Sequence, residues 1–260
     1  MSQAPQTVIL LGASNLARGF PTVLSLLRTG LPGPLDVVVA MGHGRSFGIW
    51  SYLFGRRLPG IVACGLWPHL RTGQAGAPPP LALIADLGND LMYGVPVETV
   101  LGWLELTLQR LRTLNAATVM LSLPLTSLER LTPAGFAVAR RLLFPGHRAS
   151  WPELRGQLAQ LDAGMRELSR RFGAQWVEAD GAWYGVDPIH IRRRQQAAAW
   201  QTLFSHWPVW RGSPLPACGP GLVEALSLRL LRPAERELFG VRQRMPQPAR
   251  RYPDCQLFLF

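Results

Sequence analysis

Ser14 offers a hydroxyl, His190 an imidazole, and Asp187 a carboxylate three residues before that imidazole. A serine hydroxyl is a poor nucleophile until a base removes its proton. An imidazole can be that base, and a nearby carboxylate fixes its tautomer and stabilises the imidazolium. Two other segments hold the donors that a tetrahedral oxyanion needs. Gly42-His43-Gly44-Arg45-Ser46 offers the Gly44 amide, and Gly88-Asn89-Asp90 offers the side-chain NH₂ of Asn89. With the Ser14 amide these are three candidate donors, and one such donor lowers a barrier by on the order of 3 kcal/mol. Glycine suits the second position because bare backbone lets a substrate approach. This is the inventory for acyl transfer. Each residue alone has a plainer reading: Ser14 and Asn89 as turn residues, Asp187-Pro188 as a helix start, His190 as structural. Their joint arrangement favours the chemical reading.

The elements between them must bring these segments together. Apolar runs at residues 7–11, 35–40, 81–87, 118–123 and 174–177 read as strands. They are continuous rather than alternating, as in strands covered on both faces of a parallel sheet. Helical patterns separate them. Residues 21–28 carry one apolar stripe, with Pro21 suited to a first helical position. Residues 97–114 are amphipathic. Ser150 and Glu153 form a capping box, and Gly173 is placed to end the helix that follows. A last helix is expected after His190, to about residue 204. Strand–helix alternation predicts an α/β domain with a parallel sheet, and the chemistry of such sheets sits at the carboxyl ends of the strands. The four polar segments each follow a predicted strand, so they should converge on one sheet edge.

Two stretches fall outside the alternation. Residues 45–80 are rich in aromatics, with a helix expected near 49–57, a loop over the site beyond it, and Trp50 or Trp67 near the pocket. Residues 208–260 are rich in Pro and Arg. They are expected to pack as an extension on a catalytic domain of residues 1–207, through apolar pieces at 222–231 and 256–260.

The four blocks GASN around Ser14, GHGRS around Gly44, GND around Asn89 and DPIH ending in His190 stand in the order found in the SGNH hydrolases, the GDSL-like lipases and esterases. The chain resembles that family over about residues 7–205. The resemblance implies a flavodoxin-like three-layer α/β/α sandwich around a central parallel five-stranded sheet of order 2-1-3-4-5. It implies Ser14 as nucleophile, His190 as base, Asp187 as its orienter, and Gly44 and Asn89 as oxyanion donors. The implied activity is hydrolysis of a small-molecule ester: an acyl ester, an O-acetylated sugar or a lipid. An acyltransferase with the same triad and a non-catalytic binding protein are the alternatives. Ala13 stands where the family's first block usually has Asp, which raises the question of what holds the nucleophile loop. Asn15, Arg45 and Asp90 adjoin these residues and are supporting or substrate-binding candidates. Asp90 could fix the Asn89 loop, and Arg45 could meet a negative substrate group.

Composition narrows the classes. All 27 basic residues are Arg, and the net charge is +11. The Arg residues are scattered, with one run of three at Arg192, Arg193 and Arg194, and no nucleic-acid-binding signature accompanies them, so no specific nucleic-acid partner is expected. No apolar run is long enough for a membrane span, and no signal peptide is read at the start. Cys64, Cys218 and Cys255 fit no zinc pattern, and a reducing cytoplasm is the expected location. His43, His69 and Asp86 lack tight ligand spacing, so no metal or other cofactor is expected. His147 reads as a loop residue.

Overall fold

A computed structural model describes residues 4–53, 55–71, 77–131, 150–212 and 221–260; His147 and Cys218 lie outside them. The strands are β1 (Gln6–Leu11), β2 (Leu35–Ala40), β3 (Ser51–Leu53), β4 (Arg56–Leu58), β5 (Leu81–Ile84), β6 (Ala117–Leu121), β7 (Gln175–Val177), β8 (Glu235–Leu238), β9 (Val241–Arg244), β10 (Arg250–Arg251) and β11 (Cys255–Leu259). The described α-helices are α1 (Ser14–Gly30), α2 (Leu66–Arg71), α3 (Asn89–Met92), α4 (Val97–Thr113), α5 (Leu125–Leu128), α6 (Trp151–Phe172), α7 (Gln196–Phe204) and α8 (Leu222–Arg229).

The main sheet runs β10-β11-β2-β1-β5-β6-β7, parallel throughout except for β10 at one edge. Successive residues of a strand point to opposite faces, and the core divides accordingly. Val8, Leu10, Val37 and Val39 face α1, α7 and Leu228 of α8. Ile9, Leu11, Val38 and Ala40 face α2, α4 and α6. The result is a three-layer α/β/α arrangement. Helix α6 starts at the Ser150–Glu153 capping box and stops at Gly173, whose φ of +68° is a left-handed cap.

The structure corrects three expectations. The sheet has seven described strands, because β11 adds in parallel beside β2 and β10 closes the edge. The five expected strands keep the order 2-1-3-4-5 within it, as β2-β1-β5-β6-β7. The helix expected near residues 49–57 is instead the hairpin β3–β4, with Gly55 at φ +76° in its turn. Its β4 pairs with β8, and β8 with β9, in a second, antiparallel sheet. Helix α1 starts at Ser14, with Pro21 inside it rather than at its start. The missing N–H of Pro21 costs α1 a hydrogen bond, offset by tight packing of Phe20, Val23, Leu24 and Leu27.

Residues 221–260 thus contribute strands to both sheets. Leu257 is fully buried and pairs with Val37. Leu257→Ala is expected to cost about 2–5 kcal/mol of unfolding free energy in a urea titration, as for a fully buried leucine. A loss of only a few tenths would mean that β11 is not part of the cooperative unit.

Candidate active site

Because β1, β2 and β5 are parallel, their C-terminal ends lie at one sheet edge. Ser14 follows β1 as the first residue of α1, in a half-buried position. The N-terminal N–H groups of a helix have no intrahelical acceptors, and Ala13 has no side chain to cap them. Asp86, just past β5, does so from outside. Its Oδ2 accepts from the N–H groups of Ala13 (3.0 Å), Asn15 (2.9 Å) and Leu16 (3.2 Å). Its carboxylate also complements the positive end of the α1 dipole. Asp86 has a φ of +61°, unusual for a residue with a side chain. Asp86 therefore answers the question raised by Ala13. Sequence reasoning weighed it only as a metal ligand and missed this role; the available signal was a carboxylate inside the apolar run at residues 81–87.

His190 lies on the loop after β7, facing Ser14. Its Nε2 is 3.0 Å from Ser14 Oγ, and its Nδ1 is 2.7 Å from Asp187 Oδ2. Partial burial pushes the Asp187 carboxyl upward. The hydrogen bond and charge of His190, with the N–H groups of Ile189 and His190, outweigh that and bring it down to about 2. Asp187 is also the N-cap-like acceptor of its own turn, receiving those N–H groups at 3.1 and 3.2 Å.

Asn15 joins the two loops. Its Nδ2 donates to Asp86 Oδ1 (2.7 Å) and to the carbonyl of Ile189 (2.9 Å), and its Oδ1 accepts from the N–H of Ile191 (2.8 Å). These last two contacts flank His190 on both sides. A single buried amide, 7% exposed, thus ties the Ser14 turn to the His190 loop.

The loop after β2 carries Gly44 at φ +64°, a conformation that favours glycine. Tyr93 donates its phenol to the Gly44 carbonyl at 2.6 Å. Burial and the Asp90 charge push the Tyr93 hydroxyl up to about 12 despite a contact with the Tyr52 backbone, so it stays a donor. Asn89 Nδ2 donates to the Arg45 carbonyl at 3.3 Å, which places Asn89 against the same loop. Asp90 is buried and accepts from the Ser46 hydroxyl and from the Phe47 N–H at 2.9 Å. Burial raises its pKa, and these hydrogen bonds oppose the rise. Asp90 therefore fastens the Gly44 loop to α3.

Arg45 is not available to a substrate. It is 1% exposed, and its guanidinium donates to the carbonyls of Pro59 (3.0 Å), Met41 (3.3 Å) and Phe260. Its burial lowers its pKa. It is a structural brace between the Gly44 loop and β11. Trp67 is a core residue bonded through Nε1 to the Ile61 carbonyl at 2.8 Å, and Trp50 packs against Arg57 and Arg242; neither lines the cavity beside His190. Among the described residues no group of His, Cys, Asp and Glu could hold a metal ion. No described helix is long and apolar enough to cross a membrane.

No protein-family profile matches this sequence, and no curated protein gives a significant match. Solved structures do resemble it. The aryl esterase of M. smegmatis aligns with a TM-score of 0.51 at 14% identity, covering 77% of this chain and 100% of the esterase. A lipolytic protein of the G-D-S-L family from Veillonella parvula aligns at 0.48 with 10% identity, covering 78% and 100%. The psychrotrophic esterase EstA from Pseudoalteromonas sp. aligns at 0.46 with 14% identity, covering 77% and 96%. The first of these likenesses carries the fold alone, the three-layer α/β/α arrangement described above. The chemistry rests on the geometry above.

Proposed function

We propose that this chain is a serine hydrolase of carboxylic esters, with Ser14 as nucleophile, His190 as base and Asp187 as the orienter of His190. The observation that carries this reading is the continuous chain of contacts from Ser14 Oγ to His190 Nε2 at 3.0 Å and from His190 Nδ1 to Asp187 Oδ2 at 2.7 Å. Three residues, one at the start of α1 and two from the loop after β7, meet within hydrogen-bond reach, in the order that nucleophilic catalysis needs.

In the reaction, His190 Nε2 takes the hydroxyl proton as Ser14 Oγ attacks the ester carbonyl. Asp187 holds the Nδ1 proton in place and stabilises the imidazolium. The tetrahedral oxyanion is received by the N–H groups of Ser14 and Gly44 and by Asn89 Nδ2. Among the described residues neither of those N–H groups donates to a protein acceptor, which leaves both free for a substrate oxygen. Collapse of the intermediate returns the proton from His190 to the leaving alkoxide and frees an alcohol. A water then gives its proton to His190 and attacks the acyl-enzyme, releasing the acid and restoring Ser14. Asp86 and Asn15 keep the nucleophile turn and the base loop in register, and Asp90 and Tyr93 keep the Gly44 loop in shape.

The test is a fluorophosphonate probe together with p-nitrophenyl esters of graded chain length. Hydrolysis should occur, and the probe should label Ser14 and no other residue. Labelling elsewhere, or none in a protein that hydrolyses the esters, rejects the assignment of the nucleophile.

Asn89→Ala is expected to lower kcat by roughly a hundredfold or more, with a smaller change in KM, because an oxyanion donor acts mainly in the transition state. Steady-state kinetics decide this. An unchanged kcat would reduce Asn89 to a brace of the Arg45 carbonyl.

A further inference from the structure

A cavity of about 490 Å³ opens beside His190. Its apolar wall includes Phe20, Val39, Leu58 and Leu259, drawn from α1, β2, β4 and β11. Among the described residues its charged and titratable side chains are all basic: Arg18, His43, Arg56, Arg229 and His190 itself. Among the described residues no Asp or Glu lines it. Four of these groups come from separate elements, namely α1, the loop after β2, β4 and the end of α8. Convergence of that kind is different from the scatter of Arg over the rest of the surface.

Ion pairs elsewhere on the surface make the point. Arg57 turns to the other side of β4 and meets Glu237, and Arg155, Arg170 and Arg242 likewise meet Glu129, Glu167 and Glu235. Among the described residues Arg56 and Arg229 meet no carboxylate within ion-pair distance. Arg56 is half-buried, with its guanidinium 3.7 Å from the point that a Cβ on Gly42 would occupy. Arg18 reaches Asp187 only at 3.5 Å, both side chains being about half exposed, while Asp187 holds His190 at 2.7 Å. Partial desolvation, and then the charges of Arg56, His190, Arg18 and Arg229, depress the pKa of His43. Burial and the nearby Arg236 do the same to Arg56. A half-buried guanidinium surrounded by like charge is costly until an anion meets it, and guanidinium is well matched to planar or tetrahedral oxyanions.

We propose that this cavity is an anion-binding subsite, and that the ester substrate carries a carboxylate or phosphate group on a short apolar segment, seated against Arg56 with Arg18 and Arg229 at the rim. The inference rests on the esterase reading of His190, which lines the cavity, and it narrows the substrate to anionic esters.

Two matched pairs test it. Mono-4-nitrophenyl adipate is compared with its methyl-capped diester, placing the charge on the acyl side. Acetylglycerol phosphate is compared with acetylglycerol, placing it on the alcohol side. In one pair the anionic member is expected to show a kcat/KM roughly tenfold or more above its neutral partner, as for one well-formed charge-assisted hydrogen bond. The preference should fall with added salt. Arg56→Gln should collapse the anionic-to-neutral ratio toward one, and a ratio cancels any general loss of activity. Arg229→Gln, on the exposed end of α8, gives the same readout if Arg56→Gln fails to fold. A ratio near one in both pairs, with the neutral esters hydrolysed, overturns the subsite. Ser14→Ala protein supplies a readout without turnover, by saturation-transfer NMR of monomethyl adipate and butyl phosphate. Binding of either anion that Arg56→Gln abolishes supports the subsite even if ester hydrolysis itself is never observed. Dimethyl adipate binding as well as monomethyl adipate, with no binding of butyl phosphate, overturns it.

Discussion

Ser14→Ala is expected to lower ester turnover by about four orders of magnitude or more, with His190→Ala falling by a similar factor. The double variant should be hardly worse than either single one. The hydroxyl and the imidazole act as a unit: removal of the proton acceptor leaves a hydroxyl of ordinary reactivity, and removal of the hydroxyl leaves a base with nothing to activate. The 3.0 Å contact between Ser14 Oγ and His190 Nε2 is the structural ground for that expectation. Asp187→Asn should cost on the order of 10³–10⁴ in kcat, because an amide that accepts from Nδ1 no longer stabilises the imidazolium. The sign of the pH effect follows from the depressed Asp187 carboxyl. Its folded pKa of about 2 lies below its ordinary value of 3.8, so the pair's contribution to stability is complete above that ordinary value and is lost as pH falls through about 2. That contribution is small for a half-exposed pair, but it keeps Asp187 ionised well into acid. Initial rates on p-nitrophenyl esters, with active-site titration by fluorophosphonate, check the series. Strictly additive losses in the double variant would mean that Ser14 and His190 do not act together.

What was legible in the sequence is what local pattern encodes. Ser14, Gly44 and Asn89 each follow a run of buried apolar residues, and parallel packing of those runs puts all three at one edge. Ser150 and Glu153 announce a helix start within four residues. What was not legible depends on partners far along the chain. A helix is expected near residues 49–57, yet β4 is held as strand by Leu238 and Glu237, about 180 residues away. The Arg45 side chain reads as an exposed charge until its acceptors are known, and the Phe260 carbonyl among them is 215 residues distant. β11 has five residues and no crossover helix directly before it to announce a parallel strand. The pairing of Asp86 with the α1 N-terminus depends on the β1–β5 register, in which Leu11 stands beside Ile84.

Asp86→Ala is expected to lower turnover by about a hundredfold or more, and to destabilise the fold by about 3 kcal/mol. The carboxylate accepts from three backbone N–H groups and from the Asn15 amide. Loss of one acceptor strands buried donors at about 1–3 kcal/mol each where water cannot replace it. Asp86 is only partly buried, so water recovers some of these bonds and the total stays near the single-bond range. The kinetic loss is larger because Asn15 is held by the same carboxylate, and Asn15 in turn grips the backbone on both sides of His190. Release of that amide lets the nucleophile turn and the base loop drift apart, and a misplacement of about 1 Å costs on the order of 10² in rate. The fall should appear in kcat and in the rate of fluorophosphonate labelling, with KM much less affected. Asp86→Asn should fall between the two: asparagine tolerates the left-handed backbone, but its NH₂ must face a donor. Asp86→Gly removes the carboxylate while relieving the φ of +61°. If that variant keeps full turnover, the backbone conformation at residue 86 rather than its carboxylate positions the nucleophile; if it falls as far as Asp86→Ala, the carboxylate is what replaces the missing cap at Ala13.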